Sequence, residues 1–197
     1  MIPIFVTQEN ETVFYVIFYT LYGIDLTLSY LVPLFRRRLR FKRDRTYIVL
    51  ATTVFFTIFF SFYFGYLSYY TGVGVLPLPC LYVGMALIVA GELFRFWAVI
   101  TLGEYFSPIV TVFPDQKVVT SGPYRLVRHP AYGGAIISFL GLALATRSVF
   151  SLPLVVVNAL VYNNRANVEE KLLIESLGDE YVKYRSKVKK KFIPFIL

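Results

Sequence analysis

The sequence of 197 residues is short of charge, of cysteine and of histidine. Only 16% of its residues are charged, against about 25% in an average soluble domain. The single Cys80 excludes an internal disulfide, and the lone His129 excludes a multi-histidine metal site. No Walker A, HExxH, GxSxG or strand–GxGxxG–helix pattern is found, so the signatures of the common phosphate-loop, zinc-protease, hydrolase and dinucleotide-binding proteins are missing.

Long apolar runs, in contrast, make up most of the chain, which is 57% hydrophobic. Three of them are long enough to cross about 30 Å of hydrocarbon as helices, and these are residues 13–35, 46–70 and 79–102. Two shorter runs, 131–146 and 148–162, predict a tight helical hairpin. We therefore expect an all-α integral membrane protein of one domain, with five membrane-embedded helices and a cytosolic helical region at its C-terminal end.

The few charges predict the orientation of the chain, which carries a net charge of +8. Eighteen of the 20 basic residues fall in the segments 36–45, 103–130 and 163–197, which the predicted spans place on one side of the membrane. Basic loops favour the cytoplasm, so the C-terminus and the last two segments are expected there, with the N-terminus outside or lumenal. Nucleic acid could bind the 36–45 loop, but its position between two spans favours a role in orientation or a contact with anionic membrane lipid.

The densest cluster of unusual residues is GPYRLVRHPAYGG at 122–134. Pro130 disfavours a helical conformation at His129 and suits the first turn of a helix, so His129 is expected at a helix N-terminus. Unpaired N–H groups there, together with Arg125 and Arg128, favour an anionic group of a ligand. The alternative is a basic loop before a closely packed helix, which accounts for the arginines and glycines but not for the His-Pro pair.

A second cluster begins with RANVEEKLLIE at 165–175. Arg165 and Glu169 are four residues apart and so share a face of the predicted helix. We expect Glu169 to face inward, whereas Glu170, Lys171 and Glu175 are expected to face water. A surface ion pair is the alternative for Arg165 with Glu169.

Three charged residues fall inside the predicted spans. Glu92 and Arg95 are three residues apart and are expected either to compensate each other or to line the path of a lipid-borne substrate. Asp25 is expected to be buried against a polar neighbour, because a bare charge in lipid is costly.

Together, the two motif segments resemble the isoprenylcysteine carboxyl methyltransferase family, within a wider group that includes phospholipid methyltransferases. The resemblance extends from about residue 103 to the C-terminus, with RHPxYxG, a helical hairpin and EExL…GxxYxxY in the order of the family. It implies an enzyme that binds S-adenosylmethionine from the cytosol and methylates the carboxylate of a prenylated cysteine arriving from the lipid. The lysine-rich tail before Phe192 departs from the family pattern.

The resemblance also implies roles for particular residues. His129, Pro130, Tyr132 and Glu169 would border the cofactor, and we add Arg128 to this set. Arg165 would lie near the reaction centre, where it could clamp the acceptor carboxylate, and it is our catalytic candidate together with Glu169.

The sequence leaves three other functions open. Methylation of a phospholipid amine would need a base, for which His129 or Glu169 are candidates, whereas a carboxylate is already ionised at neutral pH. A membrane reductase that uses NADPH has a similar C-terminal hairpin, although such reductases usually need more spans. A non-catalytic membrane module would bind no S-adenosylmethionine.

Overall fold

The computed structural model describes residues 3–31 and 45–192 of the chain. In these ranges the chain forms α-helices and short helical turns without a β-strand, which confirms the all-α class for the described residues. The helices are α1 (Gln8–Leu26), α2 (Arg45–Thr71), α3 (Pro79–Leu102), α4 (Pro130–Ala145), α5 (Leu152–Leu177) and α6 (Asp179–Lys187). All but the last residue of the predicted basic loop, and the final residues 193–197, lie outside the described ranges.

Three helical segments are long and apolar enough to cross a membrane, so the chain is an integral membrane protein. They are Gln8–Ser29, Arg45–Thr71 and Pro79–Tyr105. The first begins earlier than predicted, because the Thr7 hydroxyl accepts a hydrogen bond from the backbone N–H of Asn10 and caps the helix there. Its predicted end at residues 32–35 lies outside the described ranges.

The last two apolar runs form α4 and α5, which pack on each other and are joined by residues 146–151. α5 begins at Leu152 rather than at residue 148, because the Ser148 side chain caps a 3-10 turn over Val149–Ser151. α5 also continues without a break past residue 162 to Leu177. The predicted boundary between hairpin and cytosolic region is therefore not a helix end, and the count of five membrane-embedded helices stays a prediction.

Close backbone contact fixes α3 against α4. A Cβ atom added at Gly91 would lie 2.6 Å from the carbonyl oxygen of Gly134, and one added at Gly134 would lie 2.5 Å from that of Gly91. Only glycine fits at such a crossing, as in other helix pairs packed through small residues. The contact brings Arg95 of α3 beside the first turn of α4.

The charges inside the spans pair across helices rather than along one helix. Arg95 Nε donates to the Asp25 carboxylate at 2.6 Å, and its Nη1 and Nη2 donate to the Ala131 carbonyl and the Ser29 hydroxyl at 3.2 and 3.0 Å. Asp25 thus has the expected polar neighbours, but Arg95 pairs with Asp25 and not with Glu92. Glu92 is buried nearby, and its Oε2 has no hydrogen-bond partner among the described residues.

Substitution of Arg95 by Leu should lower the free energy of unfolding by about 3 kcal/mol, because it leaves the partly buried Asp25 carboxylate without its cationic partner. The double substitution Asp25→Leu with Arg95→Leu should recover most of this loss, since it removes both charges. Thermal denaturation in detergent micelles measures both effects. A single variant as stable as the wild type would show that the pair has no structural role.

Candidate functional site at the start of α4

A cavity of about 690 Å³ lies between the helices where α4 begins. One part of its wall is polar and contains Arg128, His129, Tyr132, Arg165 and Glu169. Another part is apolar and contains Leu26, Leu50, Val54, Phe55 and Ile58 of α1 and α2. The cavity therefore brings most of the sequence-predicted site residues together opposite or beside an apolar part of the same wall.

His129 stands at the N-terminus of α4, as its His-Pro sequence predicts. Pro130 is the first residue of the helix, and His129 before it has φ −126° and ψ 64°. The His129 side chain is buried, and its ring stacks on that of Tyr132 with the centroids 5.5 Å apart. Pro130 is buried without lining the cavity, so its role is to start the helix that positions Tyr132.

The Tyr132 hydroxyl joins the two catalytic candidates on α5. It accepts a hydrogen bond from Arg165 Nε at 3.1 Å and donates one to Glu169 Oε2 at 2.7 Å. Arg165 Nη1 and Nη2 donate to the Thr46 hydroxyl and the Pro108 carbonyl at 2.9 and 2.5 Å. Since Arg165 is only 2% exposed, the alternative of a surface ion pair is wrong.

Glu170 corrects the sequence expectation, because it is buried and does not face water. Its Oε1 accepts a hydrogen bond from Arg128 Nε at 2.8 Å and lies 3.0 Å from His129 Nε2. Its Oε2 lies 3.5 Å from Arg185 Nε of α6. Tyr162 and Ala166, which precede Glu170 at intervals of four residues, are also buried. This spacing places the three residues on one helix face and is the sequence signal for an inward-facing Glu170. Lys171 and Glu175 are exposed, as expected.

These contacts control the charge of Glu170. Burial raises the pKa of a carboxyl group, but the hydrogen bonds from His129 and Arg128 outweigh it and lower the pKa of Glu170 from 4.5 to about 2. Glu170 is therefore a permanent anion at neutral pH. It engages Arg128 and does not line the cavity, whereas the neighbouring Glu169 does.

The cavity wall differs from the sequence expectation at Arg125 and in α6. Arg125, expected beside the ligand, is exposed and does not line the cavity. Tyr181 and Tyr184 of α6 do line it, although no role was predicted for them. Their spacing of three residues places them on one helix face, and the Tyr184 hydroxyl donates to the Tyr124 carbonyl at 2.8 Å.

The fold and site define an integral membrane protein with a polar and apolar cavity at the start of a short helix. A family model for phospholipid methyltransferases matches residues 79–180, which are more than half of the chain. The chain therefore belongs to the phospholipid methyltransferase family.

Individual relatives support the narrower resemblance. A probable protein-S-isoprenylcysteine O-methyltransferase of Oryza sativa subsp. indica is 38% identical over 122 residues, which are 58% of this chain and 61% of the relative. The protein-S-isoprenylcysteine O-methyltransferase of Saccharomyces cerevisiae is 36% identical over 116 residues, covering 55% and 47% of the two chains. The resemblance to isoprenylcysteine methyltransferases is thus confirmed, although the chain spans at most about three fifths of these two relatives.

A solved structure shares the fold. It is that of the eukaryotic intramembrane Ras methyltransferase, isoprenylcysteine carboxyl methyltransferase, with a TM-score of 0.57 and 24% sequence identity. The match covers 80% of this chain and 55% of that chain. Most of this chain therefore has the same helical fold as that solved structure.

The buried Glu170 predicts a specific loss of stability in acid. A folded pKa below the ordinary value of 4.5 means that the ionised carboxyl group stabilises the fold above about pH 4.5, and that this contribution is lost as the pH falls towards 2. The loss should be about 3 kcal/mol. In Glu170→Gln this part of the pH dependence should disappear, which thermal denaturation in micelles across this range measures. The exposed Glu175→Gln on the same helix is the control, and equal acid sensitivity of Glu170→Gln and wild type would contradict the assignment.

Proposed function

We propose that the chain transfers a methyl group from S-adenosylmethionine to the carboxylate of a prenylated cysteine at the membrane. The observation that carries this proposal is the convergence of Arg165, Tyr132 and Glu169 on a cavity that also has an apolar wall. The names of the relatives support the choice of substrate.

The polar wall fits a cationic cofactor that carries hydroxyl groups. The Glu169 carboxylate lines the cavity and can meet an ammonium or a ribose hydroxyl group, and its orientation is fixed by the Tyr132 hydroxyl. The ring of Tyr132, stacked on His129, offers an aromatic surface to a positive charge. When bound, S-adenosylmethionine supplies an electrophilic methyl group. The protein contributes the placement of that group against the acceptor.

The acceptor needs orientation rather than activation. A C-terminal carboxylate has a pKa of about 3.5 and is ionised at neutral pH, so it attacks without a general base. Arg165 can hold it, because its guanidinium is fixed by Thr46, Pro108 and Tyr132 and the residue lines the cavity. Holding the reacting atoms in line accounts for most of the expected rate enhancement.

The apolar wall offers a path from the lipid. α1 and α2 meet through Phe14 and Phe62, whose ring centroids are 6.0 Å apart. Further along, Leu26 of α1 and Phe55 of α2 line the cavity, and both side chains are more than half exposed. An acceptor with a prenyl chain can therefore enter sideways while its carboxylate meets Arg165. Basic residues in the segments 103–130 and 163–197 favour a cytosolic position for the polar wall.

Methylation of a phospholipid amine is the second candidate, and the phospholipid methyltransferase family model favours it. An ammonium must lose a proton before it attacks a methyl group. His129, held 3.0 Å from the Glu170 carboxylate, and Glu169 are the available bases. This reaction should accelerate steeply with pH, whereas carboxylate methylation should vary little above neutral pH.

Purified protein in lipid nanodiscs should convert N-acetyl-S-farnesylcysteine to its methyl ester when supplied with radiolabelled S-adenosylmethionine. Arg165→Lys should lower kcat/KM by about 100-fold, because a lysine does not reproduce the fixed planar guanidinium. The exposed Arg125→Lys is the matched control and should retain the wild-type rate. Cofactor binding without methyl ester formation would exclude this acceptor, and methylation of phosphatidylethanolamine that rises with pH would establish the second candidate.

A further inference from the structure

The last described residues of the chain lie against the start of α4. The backbone N–H of Arg128 donates to the Lys190 carbonyl at 3.0 Å, and that of His129 donates to the Lys191 carbonyl at 2.8 Å. We refer to residues 188–192 as the C-terminal strap. Because the strap accepts both N–H groups just before the helix, it sets the backbone orientation from which the His129 side chain enters the site.

The side chain of Arg128 reinforces this contact. Its Nη1 donates to the carbonyl oxygens of Val188 and Lys189 at 2.9 and 2.6 Å, while its Nε is held by Glu170. The guanidinium therefore joins the strap to the buried carboxylate on α5. This use differs from the cofactor contact that the sequence predicts for Arg128.

The strap passes so close to α4 that no side chain fits between them. A Cβ atom added at Gly133 would collide with the carbonyl oxygen of Phe192. The neighbouring carbonyl belongs to backbone that is hydrogen-bonded at Lys190 and Lys191, so it has little freedom to move aside. Gly133, at the variable position just before the glycine of the RHPxYxG motif, thus has a local explanation: it lies where the strap crosses α4.

Lys191 anchors the strap to the helix that carries the catalytic candidates. Its Nζ donates to the side-chain carbonyls of Asn163 and Asn167 on α5 at 2.7 and 2.6 Å. These asparagines are four residues apart and flank Arg165 in sequence, and the same helix continues to Glu169. The strap consequently connects the start of α4, with His129 and Tyr132, to α5.

We propose that Lys191 is a positioning residue for the cofactor site, acting through the C-terminal strap to fix His129 and Tyr132 relative to Glu169. The inference rests on the proposed function in that the ligand of the site is S-adenosylmethionine. It adds a requirement for the lysine-rich tail, the part of the chain that departs from the family pattern.

Two variants of the full chain test the strap without changing a side chain of the cavity wall. Lys191→Met keeps the length and apolar stem of the side chain but removes its bonds to the asparagines. It should raise the Kd of S-adenosylhomocysteine about tenfold, the equivalent of about 1.4 kcal/mol, while the KM of the farnesylated acceptor and the melting temperature change little. Lys191→Arg should restore most of the affinity, since it still donates to both asparagines.

Gly133→Ala is the second variant, and it should weaken cofactor binding at least as much because it displaces the strap. Lys189→Met, an exposed side chain on the same strap, and Gly23→Ala, where a Cβ meets nothing within 4 Å, are the matched controls. Both controls should bind S-adenosylhomocysteine like the wild type.

The outcomes separate this inference from the proposed function, because calorimetric binding of S-adenosylhomocysteine needs no acceptor. A change of less than twofold in Kd for both Lys191→Met and Gly133→Ala would overturn the strap inference, even if the melting temperature falls. A wild-type chain that binds the cofactor but methylates no acceptor would overturn the proposed substrate and leave the inference standing. A wild-type chain without cofactor binding would overturn both.

Discussion

The site depends on one buried carboxylate, that of Glu170. It lies where the segment before α4, the middle of α5 and the start of the C-terminal region meet, and it is bound by Arg128, His129 and Arg185. A buried anion is stable only with such partners, and removal of a partner is costly, so the three elements are obliged to stay together. The geometry of the cavity wall follows from this junction, because His129 leads directly into the helix that carries Tyr132.

Helix geometry gives the neighbouring Glu169 and Glu170 of α5 different hydrogen-bond partners. Successive residues point about 100° apart around a helix, so the two carboxylates approach His129 from different sides, Glu170 at 3.0 Å from Nε2 and Glu169 at 3.7 Å from Nδ1. Glu170 turns to the basic residues before α4, while Glu169 turns to the cavity and the Tyr132 hydroxyl. The Glu170 carboxylate neutralises the nearby cations, and on the proposed function the Glu169 carboxylate meets a cationic ligand. A structural charge and a proposed ligand-binding charge thus lie side by side.

The sequence predicts those features that depend on neighbours along the chain. Length and apolarity predict the spans, the His-Pro pair predicts the start of α4, and the four-residue spacing predicts that Arg165 and Glu169 share a face. It does not predict the partners of Glu170 or of Arg95, because Asp25 and Arg95 are 70 positions apart and Arg128 and Glu170 are 42 apart. Such pairs depend on which helices meet, and the pattern within one helix does not contain that information.

The same reasoning explains why the proposed chemistry lies at the boundary of the apolar bundle. On the proposed function, a charged cofactor requires side chains such as Glu169 that water can reach, whereas a prenylated acceptor requires exposed apolar side chains of the cavity wall such as Leu26 and Phe55. Neither requirement can be met at the centre of the membrane or on a wholly solvated surface. α5 resolves the conflict by running unbroken from Leu152 in the apolar part to Leu177 in the polar part, so that one rigid helix holds Arg165 and Glu169 at the point where the two environments meet.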